Sequence, residues 1–586
     1  MWGLLLLPLA LSGWSPASAE RPPNVVLILT DDQGCGDVAF TGNPRLATPH
    51  LDRLASEGTH LTQFYVAPVC APTRASLLTG RYHLRTGVRG VIEGREFMVG
   101  EEVTLAEVLG AAGYATGLVG KWHLGENYPW VPHAQGFDTF VGFRDGSNPY
   151  FDAVLEQNGE PYPTQGYLTD VLTDHAIAFA EQHQAEPFFL YLSYNAPHSP
   201  LEVPEAYLRP YRDLPEHTAL IYGMMASVDE NVGRLLGRLD ELGLTENTLI
   251  LFTSDNGPLY GGGGYEQAER YNCGLRGTKY EVYEGGVRVP LVVRQPGKVP
   301  AGKTVDVPAA HIDLLPTVLD YAGVPLPESL ALDGRSLRPL LGGDTLASDT
   351  ASSWPNRTLF MSYAGEQGQR DRESAPAPYP GGMATDGTYK MVNGEELYHL
   401  AVDPGETRNL AAEKPEVLRR LDVAYRAFWD EANGERMPYP RVEVGHTEEN
   451  PARLTAHWAR RTGDLQFQFA DDPPKYRDIG VHGDWLARWS DGDRATWPLD
   501  VQASGVYRIA LRVRCSGAGA LLRAEAGGEA VDRALSACTP EGRTWQEQDV
   551  GVIELSEGAV DLTVTLLEGG VGLGVGEVIL ERLDDL

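Results

Sequence analysis

Lysine is nearly absent from this chain, with seven among 586 residues. Basic residues of both kinds number 48 against 81 acidic ones, a net charge of -33. So little positive charge excludes general binding to nucleic acid or anionic membranes. Cysteine is scarce too: Cys35, Cys70, Cys273, Cys515 and Cys538 are the five, and no C-x-x-C spacing occurs, which argues against a cysteine-based zinc site. Long apolar runs are missing beyond the N-terminus, so no later segment reads as a bilayer span. The first nineteen residues, "MWGLLLLPLALSGWSPASA", end in Ala17-Ser18-Ala19, the small-residue pattern of a cleavage site. A signal peptide over 1–19 and a secreted or periplasmic chain are expected. An odd cysteine count in an oxidising compartment leaves at least one without an intramolecular partner. Cys515 and Cys538 lie in one region and can pair, while Cys35 and Cys273 stay open between free and paired.

What is present points to several domains. At 42% hydrophobic, the chain has material for more than one core. Four apolar, β-branched runs read as buried strands: "NVVLILT" from Asn24, "YATGLVG" from Tyr114, "FFLYLSY" from Phe188 and "TLILFTS" from Thr248. Amphipathic helix patterns lie between them, so residues 20–350 are expected to form an α/β domain with a large, mainly parallel sheet between helices. A smaller α+β subdomain follows over 351–435, ending in the helical "PEVLRRLDVAYRAFWDEA". Residues 436–452 read as a linker, and 453–586 as an all-β sandwich of short alternating strands with Gly-rich turns.

Each of the four strands ends in chemistry. Asp31 and Asp32 follow the first, Lys121 and His123 the second, His198 the third, and Asp255 and Asn256 the fourth. In open α/β sheets ligands bind beyond the carboxyl ends of the strands, so these residues are expected to converge. A pair of aspartates or an "SDNG" turn alone is usually structural; four such endings together are not. Asp31, Asp32, Asp255 and Asn256 are hard oxygen donors suited to Ca²⁺ or Mg²⁺. Arg74, Lys121, Lys279, His123 and His198 supply positive charge and proton transfer, which with a cation makes a receptor for a tetrahedral oxyanion ester.

Five motifs then identify a family. "CAPTR" (Cys70 to Arg74) followed by "ASLLTGRY" resembles the C-x-P-x-R signature of the type I sulfatases, of the alkaline phosphatase-like superfamily. "GYATGLVGKWHLG" resembles their second signature, "NVVLILTDDQGCGD" their metal-binding strand end, "GTKYEVYEGGVRVP" the block with the active-site lysine, and "ELYHLAVDPGETRNLA" their C-terminal subdomain. The resemblance spans about residues 22–435.

It implies that a separate maturation enzyme oxidises Cys70 to Cα-formylglycine. One hydroxyl of the aldehyde hydrate would attack sulfur, and the second would later expel sulfate, an exit that a serine lacks. It further implies Asp31, Asp32, Asp255, Asn256 and residue 70 as Ca²⁺ ligands and Arg74 as holding the hydrate and the metal carboxylates. His123, with Lys121 beside it, would be the base, His198 the acid and Lys279 the sulfate binder. The expected function is secreted, calcium-dependent hydrolysis of sulfate esters on a sulfated carbohydrate. The alternatives are a phosphonate or phosphate monoester hydrolase using the same site, and an inactive glycan-binding protein. His133, Arg144 and Tyr150 are conceivable sugar contacts. "DRATWPLDVQASGVYRIALRVR" resembles carbohydrate-binding jelly-roll modules, with Trp485, Trp489 and Trp497 able to stack on sugar or to fill a core. If the module binds glycan, deleting 453–586 should weaken polysaccharide binding while sparing a small aryl sulfate.

Overall fold

The computed structural model describes residues 21–583 apart from 93, 260–269, 343–353, 355, 364–376, 434–440, 469–483, 516–518, 537–544 and 571. The expected signal peptide, Cys538, and parts of the expected linker lie outside the described residues.

Eleven strands make the main sheet: β1 (Asn24–Thr30), β2 (Thr59–Tyr65), β3 (Ala115–Lys121), β4 (Thr139–Phe143), β5 (Val154–Gln157), β6 (Glu160–Pro163), β7 (Phe188–Ser193), β8 (Thr248–Ser254), β9 (Arg288–Arg294), β10 (Lys303–Val305) and β11 (Ala309–Ala310). Their order is β10-β2-β9-β8-β1-β7-β3-β4-β5-β6, with β11 also on β2. β8, β1, β7, β3 and β4 run parallel to one another, while β8–β9 and β4–β5 are antiparallel. β1 is buried on both faces: Val25, Leu27 and Leu29 enter one core and Val26 and Ile28 the other. That is why its sequence is a continuous apolar run rather than an alternation. One core is closed by helices Cys70–Thr79, Leu105–Ala111 and Leu314–Ala322; the other by Pro49–Glu57, Leu168–Gln182 and Glu216–Glu241. β5 and β6 form an edge hairpin whose two-residue turn, Asn158-Gly159, has φ of 51° and 93°, the positive values such tight turns require.

A four-stranded antiparallel sheet follows in chain order, Leu359–Ser362, Gly382–Thr385, Tyr389–Val392 and Glu396–His399. Helix Pro415–Ala432 packs on it through Leu421, Tyr425, Phe428 and Trp429. The C-terminal part is two six-stranded sheets around one core. Within the segment read as a linker, Val442–Val444 is a strand paired parallel to Arg494–Val501 of that sandwich. Trp489 and Trp497 are core residues, at 6% and 0% exposure, while Trp485 is half-buried under the Arg514 guanidinium, 3.6 Å from its ring centre.

Candidate active site

β8, β1, β7 and β3 are adjacent and parallel, so the residues after their carboxyl ends meet in one place. Asp31, Asp32, Asp255 and Asn256 are all buried there, with Lys121, Lys279, Arg74 and Cys70. Cys70 opens the wholly buried helix Cys70–Thr79. Pro72 sits in its first turn, where no amide donor is needed. Arg74 is one turn after Cys70, hence on the same face. This is the physical content of the C-x-P-x-R spacing.

The charges interlock. Arg74 donates to Asp255 Oδ2 from Nε (3.1 Å) and Nη2 (2.7 Å), and from Nη1 to Ser193 Oγ (2.6 Å) and the Lys121 carbonyl (3.1 Å). Lys121 reaches Asp31 Oδ2 at 2.6 Å and Lys279 reaches Asp32 Oδ1 at 2.7 Å. Asn256 donates to Asp32 Oδ1 at 2.8 Å. His198 Nε2 stands 3.8 Å from Asp32 Oδ2.

Three buried oxygens remain without a hydrogen-bond partner among the described residues: Asp31 Oδ1, Asp32 Oδ2 and Asn256 Oδ1. Ligand atoms of Asp31, Asp32 and His198, and of Asp31, Cys70 and Asp255, lie within 4.8 Å of one another. Buried acceptors left unsatisfied are costly, and carboxylate and amide oxygens are donors of the hard kind. The residues therefore fit a divalent cation held by oxygen.

Environment tunes each group. Burial and the neighbouring Asp31 push the Asp255 carboxyl up to about 6, against the pull of Arg74. Burial would raise Asp32 as well, but Lys279 and His198 hold it below the usual carboxylate range. Burial and Lys279 bring His198 down to about 3, and burial with Lys121 and Arg74 holds His123 well below its ordinary value. Burial pushes the Cys70 thiol up, as expected for a cysteine that does not work as a thiolate. His123 Nε2 contacts the Val91 carbonyl at 3.0 Å; a carbonyl only accepts, so Nε2 carries the proton and the buried Nδ1 keeps a lone pair.

Backbone strain collects here. Asp32, His123 and Tyr280, the neighbour of Lys279, have φ of 63°, 61° and 74°. Such conformations persist where surroundings over-determine them. Gly120, at φ 113°, lets β3 approach β7 just before Lys121; a Cβ there would lie 1.9 Å from the Ser193 carbonyl oxygen.

All ten residues singled out in the sequence are thus in or beside one cluster. Sequence reasoning missed its supports. Cys35 and Cys273 form a disulfide across 238 residues, and Arg270 pairs with Asp37 while donating to the Asp32 carbonyl at 3.0 Å. Cys515 is also disulfide-bonded, and among the described residues Cys70 is the free cysteine. Of the conceivable sugar contacts, His133 is exposed, but Tyr150 is fully buried and donates to the His198 carbonyl at 2.9 Å, and Arg144 is held by Glu156 and Glu449. Tyr150 is therefore a support for His198, not a surface for sugar.

A mainly parallel sheet carrying buried acids and fixed cations at its strand ends, with a buried cysteine opening the helix beside them, defines an alkaline phosphatase-like hydrolase, and the chain belongs to the sulfatase family. The Sulfatase family model matches residues 23–324, and that of the N-sulphoglucosamine sulphohydrolase C-terminal region matches 278–422. The chain is 36% identical over 472 residues to arylsulfatase A of Homo sapiens, covering 71% of this chain and 89% of that one. It is 32% identical over 468 residues to N-acetylgalactosamine-6-sulfatase of Canis lupus familiaris, covering 71% and 87%. Among solved structures it is similar to Ps i-CgsB in complex with k-i-k-neocarrahexaose, at 29% identity and a TM-score of 0.62, over 70% of this chain and 94% of that one. The protein is a sulfuric ester hydrolase. No helix among the described residues is long and apolar enough to cross a membrane.

Proposed function

We propose that this sulfatase removes sulfate from a sulfated carbohydrate, using Ca²⁺ and a formylglycine made from Cys70. The observation that carries the reading is the convergence of three buried oxygens unpartnered among the described residues, Cys70 and two buried lysines at the carboxyl ends of the central strands. N-acetylgalactosamine-6-sulfatase and the neocarrahexaose complex, both sugar-directed by name, support the substrate class. The Cys35–Cys273 disulfide supports export to an oxidising compartment, secreted or periplasmic, after cleavage at Ala19. Because Cys70–Thr79 is wholly buried, the maturation enzyme would need to reach Cys70 before the fold closes.

When present, the formylglycine hydrate supplies a nucleophile with a built-in exit, and the cation, held by Asp31, Asp32, Asp255 and Asn256, supplies charge stabilisation. The chain's own groups do the rest. Lys121 and Lys279 each spend one ammonium proton on a carboxylate and keep two for sulfate oxygens. Arg74 fixes Asp255 and lies one turn above residue 70. His123 Nδ1 is the buried acceptor for a proton from the residue-70 side. His198 Nδ1 contacts the Ser199 carbonyl at 2.7 Å, so Nε2 faces the cluster. Burial depresses His198 most and Lys279 and Lys121 add to it; a bound anionic ester offsets the cationic share and so favours a proton on Nε2 for the leaving alcohol.

The test is mass spectrometry of the Cys70 peptide together with sulfate release from a panel of sulfated oligosaccharides, with matched phosphate esters alongside. A formylglycine mass is expected, and a Cys70→Ala variant is expected to lose at least about 10³-fold in kcat/KM with little change in melting temperature. Full activity with unmodified Cys70 would refute the mechanism, and preference for phosphate would refute the ester assignment.

A further inference from the structure

The β-sandwich carries a cationic and aromatic group that the catalytic cluster does not use. Strand Gly505–Arg514 buries Tyr507, Ile509, Leu511 and Val513 in the sandwich core, so Arg508, Arg512 and Arg514 stand on its outer face. There the Arg514 guanidinium carbon lies 3.6 Å from the Trp485 ring centre and 5.2 Å from that of Trp545. The two indoles meet edge to face, with centres 6.2 Å apart. Glycines on the paired strand Gly574–Arg582 leave room for all three side chains. A Cβ on Gly574 would lie 3.0 Å from Trp485 Cδ1 and 3.2 Å from Arg514 Nε, and one on Gly576 would lie 3.2 Å from Trp545 Cζ3.

Arg514 differs from its neighbours in what it lacks. Arg508 is paired with Glu547 (3.0 Å), Asp549 (2.6 Å) and Glu581 (3.1 Å), and Arg512 with Glu577 (3.6 Å). Arg514 has no carboxylate and no hydrogen-bond acceptor among the described residues, in a chain of net charge -33. Burial lowers its pKa from the ordinary value, and no acid offsets that. The half-buried indoles of Trp485 and Trp545 likewise find no acceptor for Nε1–H among the described residues. Guanidinium and indole N–H donate and cannot accept. The patch thus offers donors without acceptors, beside apolar ring faces. An acceptor-rich anion on an apolar-faced ring is its complement, and a sulfated sugar is such a group.

We propose that Trp485, Arg514 and Trp545 form a second, non-catalytic site, which holds a sulfated unit of the glycan other than the one being hydrolysed. The inference rests on the sulfated-carbohydrate reading above. Arg514 takes the sulfate oxygens, and the indoles meet the C–H face of the sugar. Phe97 and Trp130 of the catalytic part share the sandwich core, so a glycan held here stays at a fixed place beside the catalytic unit. Holding one unit raises the local concentration of the others, which lowers KM for a polymer and leaves kcat alone.

The experiment uses the full matured chain, a polysaccharide of the sulfated sugar that the panel above selects, and a small aryl sulfate. Arg514→Gln is expected to raise KM for the polysaccharide at least about threefold, with kcat and all aryl sulfate kinetics unchanged. Trp545→Ala should act alike, and Arg514→Lys, which keeps the charge but not the planar fork, should recover part of the loss. Retention of the Cys70→Ala chain on immobilised polysaccharide should fall when Arg514→Gln is added, and desulfated polymer should retain neither chain. If Arg514→Gln and Trp545→Ala both leave the polysaccharide KM unmoved, the site is refuted while the carbohydrate reading stands. If the panel yields no glycan and only the aryl sulfate is hydrolysed, the carbohydrate reading fails and this one with it. If Arg514→Gln shifts aryl sulfate and polysaccharide alike, the cluster is a structural cap on the sheet and the proposal is overturned. Equal retention on desulfated polymer overturns the assignment of Arg514 to sulfate.

Discussion

Lys390 stands between two carboxylates, Glu284 at 2.9 Å and Glu406 at 3.0 Å, and all three side chains are buried. Arg288 Nη1 reaches Glu284 as well, at 3.3 Å, so it is burial away from water that works against the second acid. Burial raises Glu406, Lys390 pulls it back and Glu284 raises it again, leaving it at about 7. The folded chain therefore keeps a proton that the unfolded chain releases near the ordinary 4.5. The stabilising contribution is full below that ordinary value and is lost as pH rises through about 7. The consequence reaches the site, because Glu406 Oε2 accepts from the Glu284 amide at 2.7 Å, on the segment that follows Lys279. Melting temperature measured against pH should fall less steeply between about 5 and 7 in Glu406→Gln than in the parent. Parallel slopes would place the titration on another group.

At the scale of elements, the loop after β1 that carries Asp31 and Asp32 is tied to the segment leading to Lys279 by two supports, the Cys35–Cys273 disulfide and the Arg270–Asp37 pair. The disulfide closes 238 residues, and the loop-closure account puts its removal at about 5.5 kcal/mol as an upper figure. The double variant Cys35→Ser/Cys273→Ser should lose that stability in chemical denaturation. It should also raise KM severalfold, because the Asp32–Lys279 contact loses its brace. Lower stability with an unchanged KM would show that Arg270–Asp37 suffices. This brace was not legible in the sequence, since nothing in a lone cysteine tells which distant segment folds against it. Ser193 was silent for a related reason: a serine ending an apolar strand gives no sign that Arg74 will reach it. By contrast β1 and β8 were readable to their ends, because strands buried on both faces must be unbroken apolar runs. Seven of the ten candidate residues were readable because polar endings on four such strands have few structural uses, whereas Cys70, Arg74 and Lys279 came from the motifs that resemble the sulfatase signatures. The strand Gln546–Leu555 escaped notice because its first half, "QEQDV", is largely polar and only its alternate later positions are buried.

At the scale of the whole molecule, the sandwich shares a core with the catalytic part. Phe97 and Trp130 belong to the same buried cluster as the sandwich residues, with Trp458 between them at ring-centre distances of 3.7 and 5.0 Å. Trp130 in turn accepts at its carbonyl from Trp122 Nε1 at 2.7 Å, and Trp122 lies between Lys121 and His123. Asn127, Tyr128 and Arg144 add polar ties to the chain entering the sandwich. This is not the arrangement of a module swinging on a tether, so deleting 453–586 should not spare turnover of small esters, contrary to the expectation for a detachable glycan binder. The single-residue form of the prediction is sharper. Trp458→Ala should cost about 3–5 kcal/mol, through lost burial and the cavity left between Phe97 and Trp130. It should also lower kcat for a small aryl sulfate severalfold, a substrate too short to touch the sandwich, because Trp130 no longer holds Trp122 and the strained backbone of His123 against relaxation. Trp458→Phe, which keeps an aromatic ring in the gap, should recover most of both losses. A fall in melting temperature with aryl sulfate kinetics untouched would reduce the sandwich to a mechanical cap, whereas a matching fall in kcat would make it part of the catalytic frame.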